Sequence, residues 1–222
     1  SGSISTDTRL VLTNAIYFNA AWKFPFEENL TQEDAPFYLT DGETVPVPMM
    51  SMAEAEHFGY VEGEGYQAVE LVYDGDDMSM VILIPEAGQF GEFEASLTKE
   101  RIDSITGNLV SKSIALKMPK FKYESDSVSL KKILIEMGMP AAFGNADFSG
   151  MNEGGGLFIS DVIHKAFVAV DEAGTEAAAA TAVIMDESIA LPEMDLTIDR
   201  PFIFFIRDME TGAILFVGRI VN

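Results

Sequence analysis

Residues 170–192 read VDEAGTEAAAATAVIMDESIALP, and whether this run is a helix or a strand decides the fold. Glu and Ala are strong helix formers, so the four consecutive alanines, Ala177 to Ala180, predict a short surface helix between Gly174 and Pro192. Read with a period of two, the same residues separate differently. Thr175, Ala177, Ala179 and Thr181 fall on one side, and Glu176, Ala178, Ala180 and Ala182 on the other. The first side is small and uncharged throughout, so it could slide into a crowded sheet without overpacking while Glu176 points to solvent. On the residues alone both readings stay open.

The rest of the chain narrows the function classes. It has 222 residues, 48% of them hydrophobic, enough for one sizeable core or two small ones. Fourteen Lys and Arg against 36 Asp and Glu give a net charge of −22, a field that repels nucleic-acid backbones and anionic membrane surfaces. The acidity serves solubility, or else marks a saline or otherwise unusual habitat. No cysteine is present, which removes disulfide frameworks, Cys-based zinc sites and thiol catalysis and leaves the redox compartment undetermined. No apolar run reaches the roughly 18–20 residues of a membrane helix. The opening SGSISTDTRL has neither the basic region nor the apolar core of a signal peptide.

Strand signals dominate the chain. LVLTNAIYF (10–18) is apolar on both faces and predicts a central strand. TVPVPMM (44–50) is extended, with prolines suited to an edge or a bulge. YQAVELVY and MSMVILIP (66–85) predict a hairpin turning at Asp74 to Asp77. Further strands are predicted in 113–125, 156–172, 201–208 and 213–221, the last two joined as a hairpin by Met209 to Gly212. One helix is predicted within 92–109. A second is predicted within 127–137, where Leu130, Ile133, Leu134 and Met137 share a face and Gly138 can close the end. The class is α+β. A strand as apolar as 10–18 needs neighbours and cover on both sides, which two helices hardly supply.

No constellation carries enzyme chemistry. His57 reads as a surface residue and His164 as a satisfied core histidine in an apolar strand. No serine sits in a G-x-S-x-G elbow. DGDDMS lacks the ligand alternation of a calcium loop, and NEGGG (152–156) lacks the Lys that follows a phosphate cradle. Neither an enzyme, a metal site nor a cofactor is expected.

Several segments, in order, resemble one family. LTIDRPFIFFI (196–206), VDEAGTEAAAAT (170–181), TNAIYFNAAWKFPF (13–26), VPMM (47–50), ADFSGM (146–151) and VIHKAFVAVDE (162–172) are similar to segments of the serpins, the serine protease inhibitors. The resemblance implies a serpin fold, with a large sheet A, sheets B and C and helices, for residues 1–222 as a single domain. Residues 172–192 would be its reactive-centre loop and hinge. It also implies roughly 150 further residues ahead of the strand at 10–18, whose second edge they would cover, so that an upstream segment of the same serpin is an expected partner.

By resemblance the alanine run is a strand that has not yet formed. In an inhibitory serpin a target protease cuts the loop, and the freed hinge inserts into the sheet as a new strand. The hinge would comprise Glu172, Gly174, Thr175, Glu176, Ala177, Ala178, Ala179, Ala180 and Thr181, with Gly174 as pivot and Thr175 inserting first. Before cutting, Thr175 is expected at the loop base near solvent. Glu172 would pair with Lys120 beneath Trp22 in the family's breach, and Asn14 and His164 match its shutter. About sixteen residues on from Glu172 the reactive bond falls at Ser188–Ile189, with Glu187 as the alternative specificity residue. No Arg or Lys occurs between Lys165 and Arg200, which disfavours trypsin-like targets. An elastase-like, subtilisin-like or glutamyl-specific serine protease is the expected partner. The alternative is a non-inhibitory serpin acting as carrier, chaperone or storage protein, which the small hinge residues disfavour. The expected setting is extracellular, although the sequence does not decide it, and Asn29-Leu30-Thr31 is a glycosylation sequon only in that case.

Overall fold

A computed structural model describes residues 8–52, 54–154, 156–175 and 191–221. The chain divides into two compact units, one built from the residues up to Phe18 with Lys122–Ala169, the other from Asn19–Phe121 with the residues from Val170 on.

The larger unit is organised by one nine-stranded sheet. One of its interior strands is Met78–Pro85, an unbroken apolar run buried along nearly its whole length, as a strand covered on both faces must be. It lies antiparallel between Tyr66–Val72 and Phe202–Asp208, with Ile82 opposite both Val69 and Phe204. The predicted hairpin at 66–85 turns where expected, with Gly75 and Asp76 at positive φ. The second predicted hairpin joins Phe202–Asp208 to Ile214–Ile220. On the other side the sheet continues through Glu56–Gly63, Val110–Pro119, Thr44–Ser51 and Gln32–Tyr38, while Met194–Thr197 runs parallel to Val110–Pro119.

Thr44–Ser51 is not an edge strand throughout. Val110–Pro119 pairs with it only from Met49, so among the described residues Pro46 and Pro48 precede the paired stretch and owe it no N–H, while Pro48 O accepts from the Lys120 N–H (2.8 Å). The strand expected over 113–125 breaks at Lys120, separating Val110–Pro119 from Phe121–Glu124.

The helix expected within 92–109 is two helices, Phe90–Ala95 and Lys99–Gly107. The break follows from local hydroxyl chemistry. Ser96 Oγ bonds back to Phe93 O (2.5 Å), and Thr98, in an extended conformation, accepts from the Arg101 N–H as an N-cap. Phe90, Phe93 and Ile105 still pack on Ala68, Val81, Leu83 and Phe205 of the sheet, each large side chain contributing about 1.5–3 kcal/mol.

In the smaller unit Leu10–Tyr17 runs parallel to Ile159–Val170. This first strand was expected to be central, with an upstream segment covering its second edge. Among the described residues it pairs along one edge only, and Leu12 and Tyr17 are 42% and 57% exposed. An apolar composition records what a strand must bury and says nothing about whether a second partner stands beside it. The second helix is shorter than expected, Lys131–Glu136, because Val128–Ser129 pairs as a strand with Ile163 and His164. Gly138 closes it at φ +103: its N–H reaches Ile135 O (3.1 Å) and that of Met139 reaches Leu134 O (2.9 Å), the paired bonds of a Schellman cap.

Candidate hinge site

The larger unit gathers the segments around Ala20–Trp22, Tyr73, Lys120 and Asp171–Thr175 at one place. Asp171 begins a tight turn. Its carboxylate Oδ1 accepts from the backbone N–H groups of Ala173 (3.0 Å) and Gly174 (3.2 Å), and its own N–H donates to Gly174 O (2.9 Å). Such side-chain acceptance is the usual reason Asp favours turns. The turn reverses the chain so that Thr175 pairs antiparallel with Val170 on one side, while Gly174 and Thr175 pair with Ala21 and Ala20 on the other.

Two features make this slot selective. At Gly174, φ is +154, and a Cβ would lie 2.2 Å from Ala20 O and 2.7 Å from Ala21 Cα, so only glycine fits. At Thr175 the side chain is fully buried, and its hydroxyl shares a 2.8 Å hydrogen bond with that of Tyr73. Tyr73 is itself 1% exposed. Burial pushes its phenol up, against the opposing effect of the Thr175 bond, so the hydroxyl keeps its proton at neutral pH.

Trp22 covers this pair. Its ring stacks on Tyr73 at 4.5 Å and 9°, its Nε1–H donates to Asp171 O (3.0 Å), and its backbone N–H donates to Ala173 O (2.9 Å). One turn further out, Glu172 is 7% exposed. Its carboxylate accepts from Lys120 Nζ (2.7 Å) and Thr31 Oγ1 (2.8 Å), and its carbonyl accepts from the Phe26 N–H (2.9 Å). Burial raises the Glu172 carboxyl, but the bonds from Lys120 and Thr31 outweigh it and hold the group below the ordinary carboxylate value. The same bond holds the Lys120 ammonium above its own ordinary value.

Trp22, Lys120, Glu172, Gly174 and Thr175 are thus brought together. The expectation for Thr175 is overturned: it lies inside the sheet and not near solvent, because Tyr73 satisfies its hydroxyl and its small side chain fits between strands. The strand that was expected to be unformed has begun, over Gly174–Thr175. Glu176, Ala177, Ala178, Ala179, Ala180, Thr181, Glu187, Ser188 and Ile189 lie outside the described residues. Asn14 and His164 are register partners on adjacent parallel strands. His164 is half-buried rather than a satisfied core residue, and neither side chain makes a hydrogen bond among the described residues. His57 is exposed, as expected. Sequence reasoning missed Tyr73 and Thr31. Tyr73 reads as the last apolar residue of a strand, and its one signal is an aromatic hydroxyl next to a turn.

The described residues include no cluster of three metal-ligating side chains. What the site can do is accept an extended segment: it offers a paired backbone slot, a glycine-only position and a buried hydroxyl. A protein-family model described as "Serpin (serine protease inhibitor)" matches residues 1–222. The chain belongs to the serpin family. A serpin-like protein of Thermococcus kodakarensis is 43% identical over 222 residues, covering 99% of this chain and 51% of that protein. The human leukocyte elastase inhibitor is 40% identical over 228 residues, covering 99% of this chain and 60% of that protein. This serpin chain therefore spans between half and three-fifths of the length of these relatives. Its fold matches human thyroxine-binding globulin complexed with thyroxine (TM-score 0.84, 32% identity, 99% of this chain and 57% of that one). It also matches uncleaved ovalbumin (TM-score 0.82, 29% identity, 100% and 56%). The α+β serpin fold inferred from the sequence is thus the observed one. No described helix is long and apolar enough to cross a membrane, and the extracellular expectation finds no support in the relatives.

Proposed function

We propose that this serpin inhibits a serine protease by acting as a suicide substrate. The observation that carries the reading is the docking of Gly174–Thr175 between Val170 and Ala20–Ala21, in register for the small-residue face of 175–181 to continue the same strand. In this reading the protease serine adds to the carbonyl carbon of Ser188, the Ser188–Ile189 amide breaks, and the Ile189 amine leaves with a proton as the acyl ester forms. The hinge, from Glu172 through Thr181, then inserts before water can cleave the ester. Trp22, Lys120 and Glu172 act as the breach that the strand passes, and Asn14 and His164 act as the shutter. Residues 172–192 act as the reactive-centre loop of a single serpin domain. The elastase-inhibitor relatives and the small or apolar residues in and near the bond, Ser188, Ala190, Val183 and Ile189, favour an elastase-like or subtilisin-like target, with Glu187 offering a glutamyl-specific one. The alternative, a non-inhibitory carrier, chaperone or storage protein, has no use for a hinge whose inward face is small at every position.

Incubating the intact protein with an elastase-like, a subtilisin-like and a glutamyl-specific protease at several ratios distinguishes the two. Inhibition produces a complex that survives denaturing electrophoresis, with the mass of protease plus cleaved serpin and a released peptide starting at or next to Ile189. Cleavage with no trapped complex at any ratio with any of the three refutes the proposal.

A further inference from the structure

The reactive bond is tied to the body by two stems of unequal length. From Thr175 to Ser188 is thirteen residues, and from Ser188 to Glu193 only five. At full extension the first stem reaches about 45 Å and the second no more than about 18 Å. The short stem is firmly rooted. The Glu193 N–H donates to Ser113 O (2.9 Å), Met194–Thr197 pairs parallel with Ile114–Lys117, and the Ile198 N–H donates to Lys117 O (2.8 Å). Leu196 and Ile198 are buried and hold this strand to the core. The reactive bond is therefore leashed to Val110–Pro119 through the few residues between Ser188 and Glu193.

Leu191 stands on this leash. It is 87% exposed, more than any other large apolar side chain among the described residues. A lone exposed leucine is ordinary, but this one is the third residue past Ser188 and its backbone has little freedom. Pro192 follows it, so its own φ and ψ are confined to the extended region, and Pro192 has a fixed φ of its own. An apolar side chain is thus held off the body on a stem that loses little entropy when a partner grips it. We propose that Leu191 is a specificity-determining residue, which enters an apolar pocket of the target protease on the side that receives the leaving half of the loop. The inference deepens the inhibitor reading and rests on its placement of the bond at Ser188–Ile189. When the acyl ester forms, the Ile189 amine remains on the short stem, still paired with Ile114–Lys117, while the protease stays on the Ser188 carbonyl. The grip on Leu191 therefore speeds cutting, is given up together with the amine, and does not oppose hinge insertion.

The test uses the intact protein, its Leu191→Ala and Leu191→Met variants, and whichever of an elastase-like, a subtilisin-like and a glutamyl-specific protease cuts the parent fastest. The second-order rate of loop cleavage, the fraction of protease trapped and the thermal midpoint are measured for each. Leu191→Ala should slow cleavage roughly tenfold, the loss expected when an apolar pocket is left unfilled. Leu191→Met, of similar volume, should restore the rate to within about twofold of the parent. The trapped fraction and the midpoint should not move, because so exposed a side chain supports nothing in the fold. Cleavage of Leu191→Ala at the parent's rate, or of Leu191→Met as slowly as Leu191→Ala, overturns the inference. A lower trapped fraction with unchanged cleavage overturns it too, since Leu191 would then act in insertion and not in recognition. Cleavage of the parent without any trapped complex sinks the inhibitor reading instead, and the cleavage rates still decide the part of Leu191.

Discussion

Thr175→Arg separates a buried hinge from an exposed one. Were Thr175 at a solvent-facing loop base, the change would alter stability by no more than about 0.5 kcal/mol. The side chain is instead 0% exposed and bonded to Tyr73, which leaves the protein two ways to relieve the substitution. Keeping the strand in place buries an unpaired guanidinium at a cost of several kcal/mol, about 3–5 when a buried charge lacks its partner. Withdrawing Gly174–Thr175 gives up the Tyr73 bond, the Asp171 N–H bond to Gly174 O and the pairing to Ala20–Ala21, at about 1 kcal/mol each. Withdrawal is the cheaper route, so the variant should lose about 3 kcal/mol, a thermal midpoint lower by roughly 6–12 °C by circular dichroism. Withdrawal also uncovers Trp22, the only tryptophan of these residues, so its emission should move to the red before any unfolding. A midpoint within about 2 °C of the parent together with unchanged tryptophan emission would refute the buried placement and every inference built on it.

Glu172→Gln tests the anchor through pH. The Glu172 carboxyl is held below its ordinary value of 4.5, so its stabilisation is present above that value and lost as pH falls through the folded one. The Lys120 ammonium is held above 10.5, so its share is present below that value and lost only in strong base. Lys120 is 44% exposed at the side chain, and screening limits the pair, so the variant should cost about 1–2 kcal/mol at neutral pH and should flatten the acid limb of a stability–pH curve; an unaltered acid limb counts against the anchor. Arg207→Met should destabilise by about 3–5 kcal/mol in denaturant titrations. It strands the buried Glu70 carboxylate, which accepts from Arg207 Nη2 (2.5 Å), Arg207 Nε (2.9 Å) and Ser79 Oγ (2.7 Å). Adding Glu70→Gln should restore more than half of the loss, and no recovery would show that the charge is not the cause.

The sequence by itself determined the elements whose signal is local or continuous. MSMVILIP and PFIFFIRD are apolar enough to be central strands wherever they fall, the Asp-Gly turn between Tyr73 and Met78 closes its own hairpin, and Gly138 ends its helix through bonds made within one turn of it. The motif order from Thr13 to Ile206 likewise carried the family, and with it the meeting of Lys120 and Glu172. Local hydroxyl chemistry at Ser96 and Thr98 was also written in the chain, but a helical pattern spanning it hid the break. Only the tertiary structure decided that Leu10–Tyr17 pairs along one edge among the described residues, that Thr175 is inside the sheet, and that Tyr73 meets it. The physical reason is common to all three. Pairing, burial and a hydroxyl's choice of partner depend on what stands across a gap of about 3 Å, and residues 73 and 175 acquire that relation only when three strands and a turn have been assembled around them.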